Sequence, residues 1–176
     1  SVYTDPRRFG IADLFERAEE PVQSLLEHLG PEPFAGWNST IAAERIGAKR
    51  SAIKITLLDQ RFVVGVGNIY ACEALHRSGI SPTTPSNTLV RKNGKPTKKL
   101  ERLVEEVKAV LEAAIAVGGS TLNDFAAVDG TLGYFGHHFQ VYDREDGPCL
   151  KEGCNGTIER IVQSNRSTFL CPRCQK

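Results

Sequence analysis

Residues 60–80 read QRFVVGVGNIYACEALHRSGI, and this stretch decides how the rest of the chain is read. Gly65 and Gly67 allow a tight turn, after which Asn68 opens an amphipathic helix with Ile69, Ala71, Cys72, Leu75 and His76 at helical spacing. The first N–H groups of a helix have no partner within it, and the dipole there is positive, so the helix start can hold an anion. The Asn68 amide adds a possible donor, and phosphate is the natural guest. An ordinary N-cap after a glycine turn fits the same residues. A dinucleotide fold fits poorly, because GVGN lacks the third glycine and no βαβ pattern surrounds it.

Outward from this turn, apolar residues at spacings of three and four predict short helices over 21–29, 41–46 and 52–58. A long helix is predicted over 100–117, where Leu100, Leu103, Val104, Val107, Val110, Leu111, Ala114 and Ile115 form one core-facing stripe. Gly118 and Gly119 supply its stop. Residues 81–97, with three prolines, Gly94 and several basic side chains, read as a mobile or irregular connector. Thr121 with Asp124 resembles a capping box, and beyond it helix gives way to loop and strand. Strands are expected at 139–142 and at 156–162 paired with 167–170 through a turn at 163–166. The fold class is therefore mainly α, with a small β-hairpin at the end.

That hairpin lies between two cysteine pairs. Four residues separate Cys149 from Cys154, two separate Cys171 from Cys174, and sixteen lie between the pairs. Each pair can present two thiolates to one side of a Zn²⁺, and the hairpin brings the second pair round to close a tetrahedron. Four sulfur ligands leave no coordination position for water, so one structural zinc is expected, holding an element too small for its own core. Cys72 stands apart as a small buried helix residue.

At 176 residues with 40% hydrophobic content, the chain can bury a real core. No apolar run approaches the roughly 20 residues that span a bilayer, and the first residues hold no signal-like stretch, so no membrane partner is expected and the setting reads as cytoplasmic. The net charge of +1 conceals segregation. Residues 1–40 carry three Lys and Arg against seven Asp and Glu, 41–102 twelve against four, and 103–176 seven against ten. The basic middle can serve as a phosphate-facing surface or as a solvated helical face.

Taken together, the strings TDPRRFG (4–10), HLGPEP (28–33), AIK (52–54), VVGVGNIYACEAL (63–75), GGSTLNDF (118–125), DGTLGYF (129–135) and RSTFLCPRCQK (166–176) resemble the formamidopyrimidine-DNA glycosylase family. The family removes 8-oxoguanine and ring-opened purines in base excision repair. The resemblance implies a helix-two-turns-helix domain followed by a zinc finger, with residues 1–20 as an interdomain linker, 21–140 as the helical domain and 141–176 as the finger. It also implies a monomer and a partner of double-stranded DNA containing oxidised bases. Arg7 matches the arginine that fills the gap left by the everted base, and Phe9 the aromatic wedge beside it. Lys49 and Asn68 match phosphate contacts, and backbone amides in 129–134 match the loop over the flipped base. Arg166 matches the arginine that grips phosphates flanking the lesion and donates a proton in the final elimination.

The first cysteine pair departs from the family, which has two intervening residues there. The family's attacking group, a leading proline followed by an acidic residue on a β-rich lobe, matches nothing in this sequence. The chain is therefore read as the DNA-binding C-terminal part of a longer glycosylase and abasic-site lyase, inactive alone. A stand-alone DNA-binding module and an endonuclease VIII-like enzyme for oxidised pyrimidines are the competing readings; TDPRRFG and CPRCQK favour the purine-lesion branch over the pyrimidine one.

Overall fold

The computed structural model describes residues 26–118 and 139–176. The described elements run α1 (Ser39–Ile46), α2 (Ile53–Leu58), α3 (Asn68–Ser78), a 3-10 turn (Ser86–Leu89), α4 (Lys98–Ala116), β1 (Glu159–Gln163) and β2 (Arg166–Leu170). Mainly α with a terminal hairpin, the architecture agrees with the sequence. The helix expected over 21–29 falls largely outside the described residues, and 27–28 form a turn. The capping box at Thr121 and Asp124 also lies outside them.

Each long helix begins and ends where its chemistry dictates. Thr97 caps α4, its Oγ1 accepting the Leu100 N–H at 3.3 Å. Asn38 caps α1 through Oδ1, which accepts from Thr40 N and Ile41 N. Gly79 closes α3 at φ 71°, a left-handed conformation that glycine adopts without a Cβ clash. The α4 stripe is buried from Leu100 to Ala114, against α3 above all. Ile115 is the exception: it belongs to the expected stripe but is 69% exposed, while Ala114 in the same turn is buried. Around α3 and α4 the core gathers Trp37, Ile46, Leu57, Phe62, Leu75 and Leu103, with Trp37 and Phe62 edge to face at 5.9 Å.

Of the two expectations for the proline-rich connector, mobile or irregular, the structure shows the irregular one, closely bonded to its neighbours. Its Ser86 and Asn87 amides donate to the carbonyls of Ser51 and Lys49, and its Thr84 carbonyl accepts from Ile53 N. A hydroxyl chain, Ser51–Thr56–Ser86, buried at Thr56 and Ser86, ties it to α2.

The hairpin pairs Gln163 with Arg166, so the loop is Ser164-Asn165 alone, two residues shorter than expected. Both have positive φ, 47° and 59°, the backbone of a two-residue turn whose twist suits the flanking strands. Residues 139–142 are not a strand. Their donors point instead to a buried carboxylate: Glu73 accepts from the backbone N–H groups of Gln140, Val141 and Tyr142. A second small cluster, with Cys72, Val141, Ile158 and Phe169, joins α3 to the hairpin.

Candidate metal centre and nucleic-acid interface

The four cysteine sulfurs lie within 4.8 Å of one another. Cys149 and Cys174 Sγ are 3.9 Å apart, and Cys154 and Cys171 Sγ 3.7 Å. The longer first loop is accommodated by Gly153 at φ 71° and by a Cys154 N–H bond to the Lys151 carbonyl, while the Cys149 N–H reaches Gly156 O at 2.8 Å. A Cβ on Gly156 would come within 2.5 Å of Cys171 Sγ, so only glycine fits behind the sulfurs. Burial and the neighbouring thiols push Cys174 upward, and burial raises Cys149. Burial opposes ionisation of Cys171, but the backbone N–H groups of Cys174 and Arg173 together with the Cys154 and Cys149 thiols lower its pKa. Four thiols this close cannot all ionise unaided, and a soft divalent cation makes four thiolates compatible.

Beyond the cysteines, the knuckle is stitched to the end of α3. Gln175 Nε2 donates to Ile80 O, and Lys176 N to Gly79 O. His76, 2% exposed, sets Nε2 3.3 Å from Cys149 Sγ. Burial, then the Lys151, Arg77 and Arg144 cations, hold its pKa down at about 4, so the ring is neutral near pH 7.

Two of the sequence-predicted residues share a groove, and a third bonds the residue next to one of them. Lys49 and Arg166 line one open groove of about 370 Å³, shared with Ser51, Ile55, Asp59 and Ser164. Lys49 Nζ is 3.3 Å from Asp59 Oδ2, a half-exposed pair that an incoming phosphate can displace at little cost. Arg166 opens β2 right after the tight turn and is exposed. Asn68 stands beside it, but its amide already has a partner: Nδ2 donates to Ser167 O at 3.0 Å. This bond uses one N–H of the amide, which carries two. The backbone start of α3 has no side-chain cap, its N-cap being Gly67.

Lys54, which the sequence reading left without a role, completes the support for Arg166. It is fully buried, with Nζ 2.6 Å from Thr168 Oγ1 and 3.2 Å from Ser167 O. Burial lowers its pKa, Cys72 opposes that, and Arg166 adds to it. Lys54 and Asn68 thus converge on one carbonyl next to Arg166 and fix the backbone that presents the guanidinium. Glu73 was missed as well. Its signal was a carboxylate four residues after Ile69 on a helix that is apolar on that face. Arg7, Phe9 and 129–134 lie outside the described residues. Among the described residues, no helix is long and apolar enough to cross a membrane.

Comparison with known proteins bears on both features. Residues 29–126 match the family described as the formamidopyrimidine-DNA glycosylase H2TH domain, and residues 147–176 match the zinc finger found in FPG and IleRS. The chain is 49% identical over 176 residues to the formamidopyrimidine-DNA glycosylase of Beijerinckia indica, covering 99% of this chain and 61% of that protein. The crystal structure of the MutM (Fpg) protein from Thermus thermophilus superposes with a TM-score of 0.79 at 37% identity, covering 97% of this chain and 62% of that one. The Lactococcus lactis Fpg in complex with abasic-site DNA superposes with a TM-score of 0.77 at 29% identity, covering 90% and 55%. The chain thus spans about three fifths of the length of the curated relative it matches. With the zinc-finger match beside the four clustered sulfurs, Cys149, Cys154, Cys171 and Cys174 form the site of one structural zinc.

Proposed function

We propose, from the premise that this chain belongs to the formamidopyrimidine-DNA glycosylase family, that it is the DNA-gripping part of a bifunctional glycosylase and abasic-site lyase acting on oxidised purines. The observation that carries this reading is the groove that brings Lys49 and Arg166 together, with Asn68 bracing the backbone behind. A guanidinium at the tip of a metal-held hairpin suits bidentate phosphate contact, and an ammonium across the groove adds a second charge. On this reading residues 1–20 are a linker from which Arg7 and Phe9 enter the base stack. Residues 21–140 form the helix-two-turns-helix domain, and 141–176 the finger. Lys49 takes phosphates through its side chain, Asn68 through the helix start, and Arg166 grips those beside the lesion and donates the proton that completes elimination. The partner is duplex DNA with oxidised bases, met as a monomer in the bacterial cytoplasm.

Arg166→Ala in the whole protein is expected to keep zinc and fold while losing affinity for lesion DNA by about 1–3 kcal/mol, the range for charge-assisted hydrogen bonds, together with strand cleavage. Arg166→Lys should recover only part, since a point charge cannot reproduce the fork. Binding and product formation at parental levels in Arg166→Ala would remove the assignment.

Excision itself we assign to the longer protein, because the family's attacking amine has no counterpart among these 176 residues. Borohydride should therefore trap no covalent complex between this chain and 8-oxoguanine DNA, although the chain binds duplex with steep salt dependence. A trapped complex overturns that division of labour.

A further inference from the structure

We propose that His76 is a positioning residue of the zinc centre, its Nε2–H donating to the Cys149 thiolate and holding that sulfur in the ligand set. The inference rests on the zinc reading above. His76 sits in the last turn of α3, is 2% exposed, and places Nε2 3.3 Å from Cys149 Sγ, within the reach of an N–H···S bond. Seventy-three positions separate the two residues, so the contact is made by the fold and not by local geometry. Nδ1 has no partner among the described residues, which leaves the sulfur as the ring's one polar contact there.

The charge balance says why a neutral donor belongs at this place. A zinc ion with four thiolates is doubly negative, and Cys149 is buried. Lys151, Arg77 and Arg144 stand near enough to act on the imidazole electrostatically, so the surroundings already supply positive charge. An imidazole N–H gives the sulfur a donor without burying a further cation. Cys171 obtains the equivalent from two backbone N–H groups, those of Cys174 and Arg173, while Cys149 has one, from Lys151. Cys149 also begins the pair with four intervening residues, where the longer loop constrains the sulfur less. His76 supplies the missing donor from outside the finger and ties metal retention to α3. A hydrogen-bonded thiolate carries less charge and is slower to react or to leave the metal.

The test uses the full chain. Metal analysis of the parent comes first, since a chain without zinc would refute the metal centre itself. In the zinc-loaded parent, histidine ¹⁵N spectra should show the proton of His76 on Nε2; a proton on Nδ1 refutes the role of His76 and leaves the zinc centre standing. His76→Phe, which keeps a ring in the space, should pass zinc to a chromophoric chelator about tenfold faster or more, the usual scale for losing an outer partner of a ligand. After cobalt substitution, its thiolate-to-metal charge-transfer band should move to lower energy, because the unbonded sulfur donates more strongly. His76→Gln, with an amide N–H in a similar place, should return both readouts towards the parent. Parental release rates and an unshifted band in His76→Phe would show that the ring only fills space.

Discussion

Stripping zinc from this chain is expected to unfold the finger and leave the helical domain folded. The two strands have five residues each, and β1 is mostly exposed, with Val162 at 68%. A lone two-stranded hairpin is marginal in water. The apolar surface the finger buries is little: Val141, Ile158, Phe169 and Leu170 besides Cys149 and Cys171. Structural zinc in such elements contributes about 10–16 kcal/mol in apparent terms, comparable with the whole stability of a typical domain. The helical domain has its own core running from Trp37 to Ala114, against which Tyr142 alone of the finger residues is packed. Chelation should therefore leave the helical circular dichroism largely intact while amides in 159–170 lose protection from hydrogen exchange. Binding of duplex DNA should fall sharply, since Arg166 is no longer held opposite Lys49. Undiminished protection of the hairpin in metal-free protein would show that packing alone holds it.

Helix α4 was legible because it buries one face, and burial writes a period into the sequence, whereas α3, buried over 71–76 on every side, was legible from the glycine turn that precedes it. The cysteines were legible because a tetrahedron constrains spacing. The buried polar partners left no comparable trace. Lys54 meets Thr168 across 114 positions, and Glu73 meets Gln140 across 67. Such contacts exist only once the chain has folded, and read locally Lys54 is one more basic residue in a basic segment. The misjudged strand at 139–142 has the same origin. Alternation there suggested a ladder, but a carboxylate from α3 takes the N–H groups that a neighbouring strand would need. Asn68 was found as the residue opening α3, while its amide's partner, a carbonyl 99 positions away, was not. Arg7 and Phe9 stand on resemblance alone, which gives them roles but no geometry.

Glu73→Ala should be the most damaging single substitution in the helical domain. The side chain is fully buried on α3, Oε1 accepting from Gln140 N at 3.0 Å, Val141 N at 3.0 Å and Tyr142 N at 2.9 Å, and Oε2 from Gln140 N at 2.9 Å. Three consecutive amides thus depend on one carboxylate. Truncation to alanine leaves these donors without their acceptor, Val141 N buried among them, and at roughly 1.5–3 kcal/mol for a hydrogen bond to a charged group the loss should come to about 3–5 kcal/mol. For a chain of this size that corresponds to a fall of roughly 6–20 °C in Tm. The damage should spread to the finger, because Tyr142 packs against Phe169 at 4.9 Å and Val141 belongs to the cluster beneath the cysteines. Glu73→Gln keeps the shape and one acceptor oxygen but turns an NH₂ group towards amide donors, so it should fall between alanine and the parent. Thermal and urea denaturation of the zinc-loaded chain, with hydrogen exchange at Val141, separates the cases. If Glu73→Ala unfolds at the parental midpoint, the three amides have found other acceptors and the carboxylate is not what anchors residues 140–142.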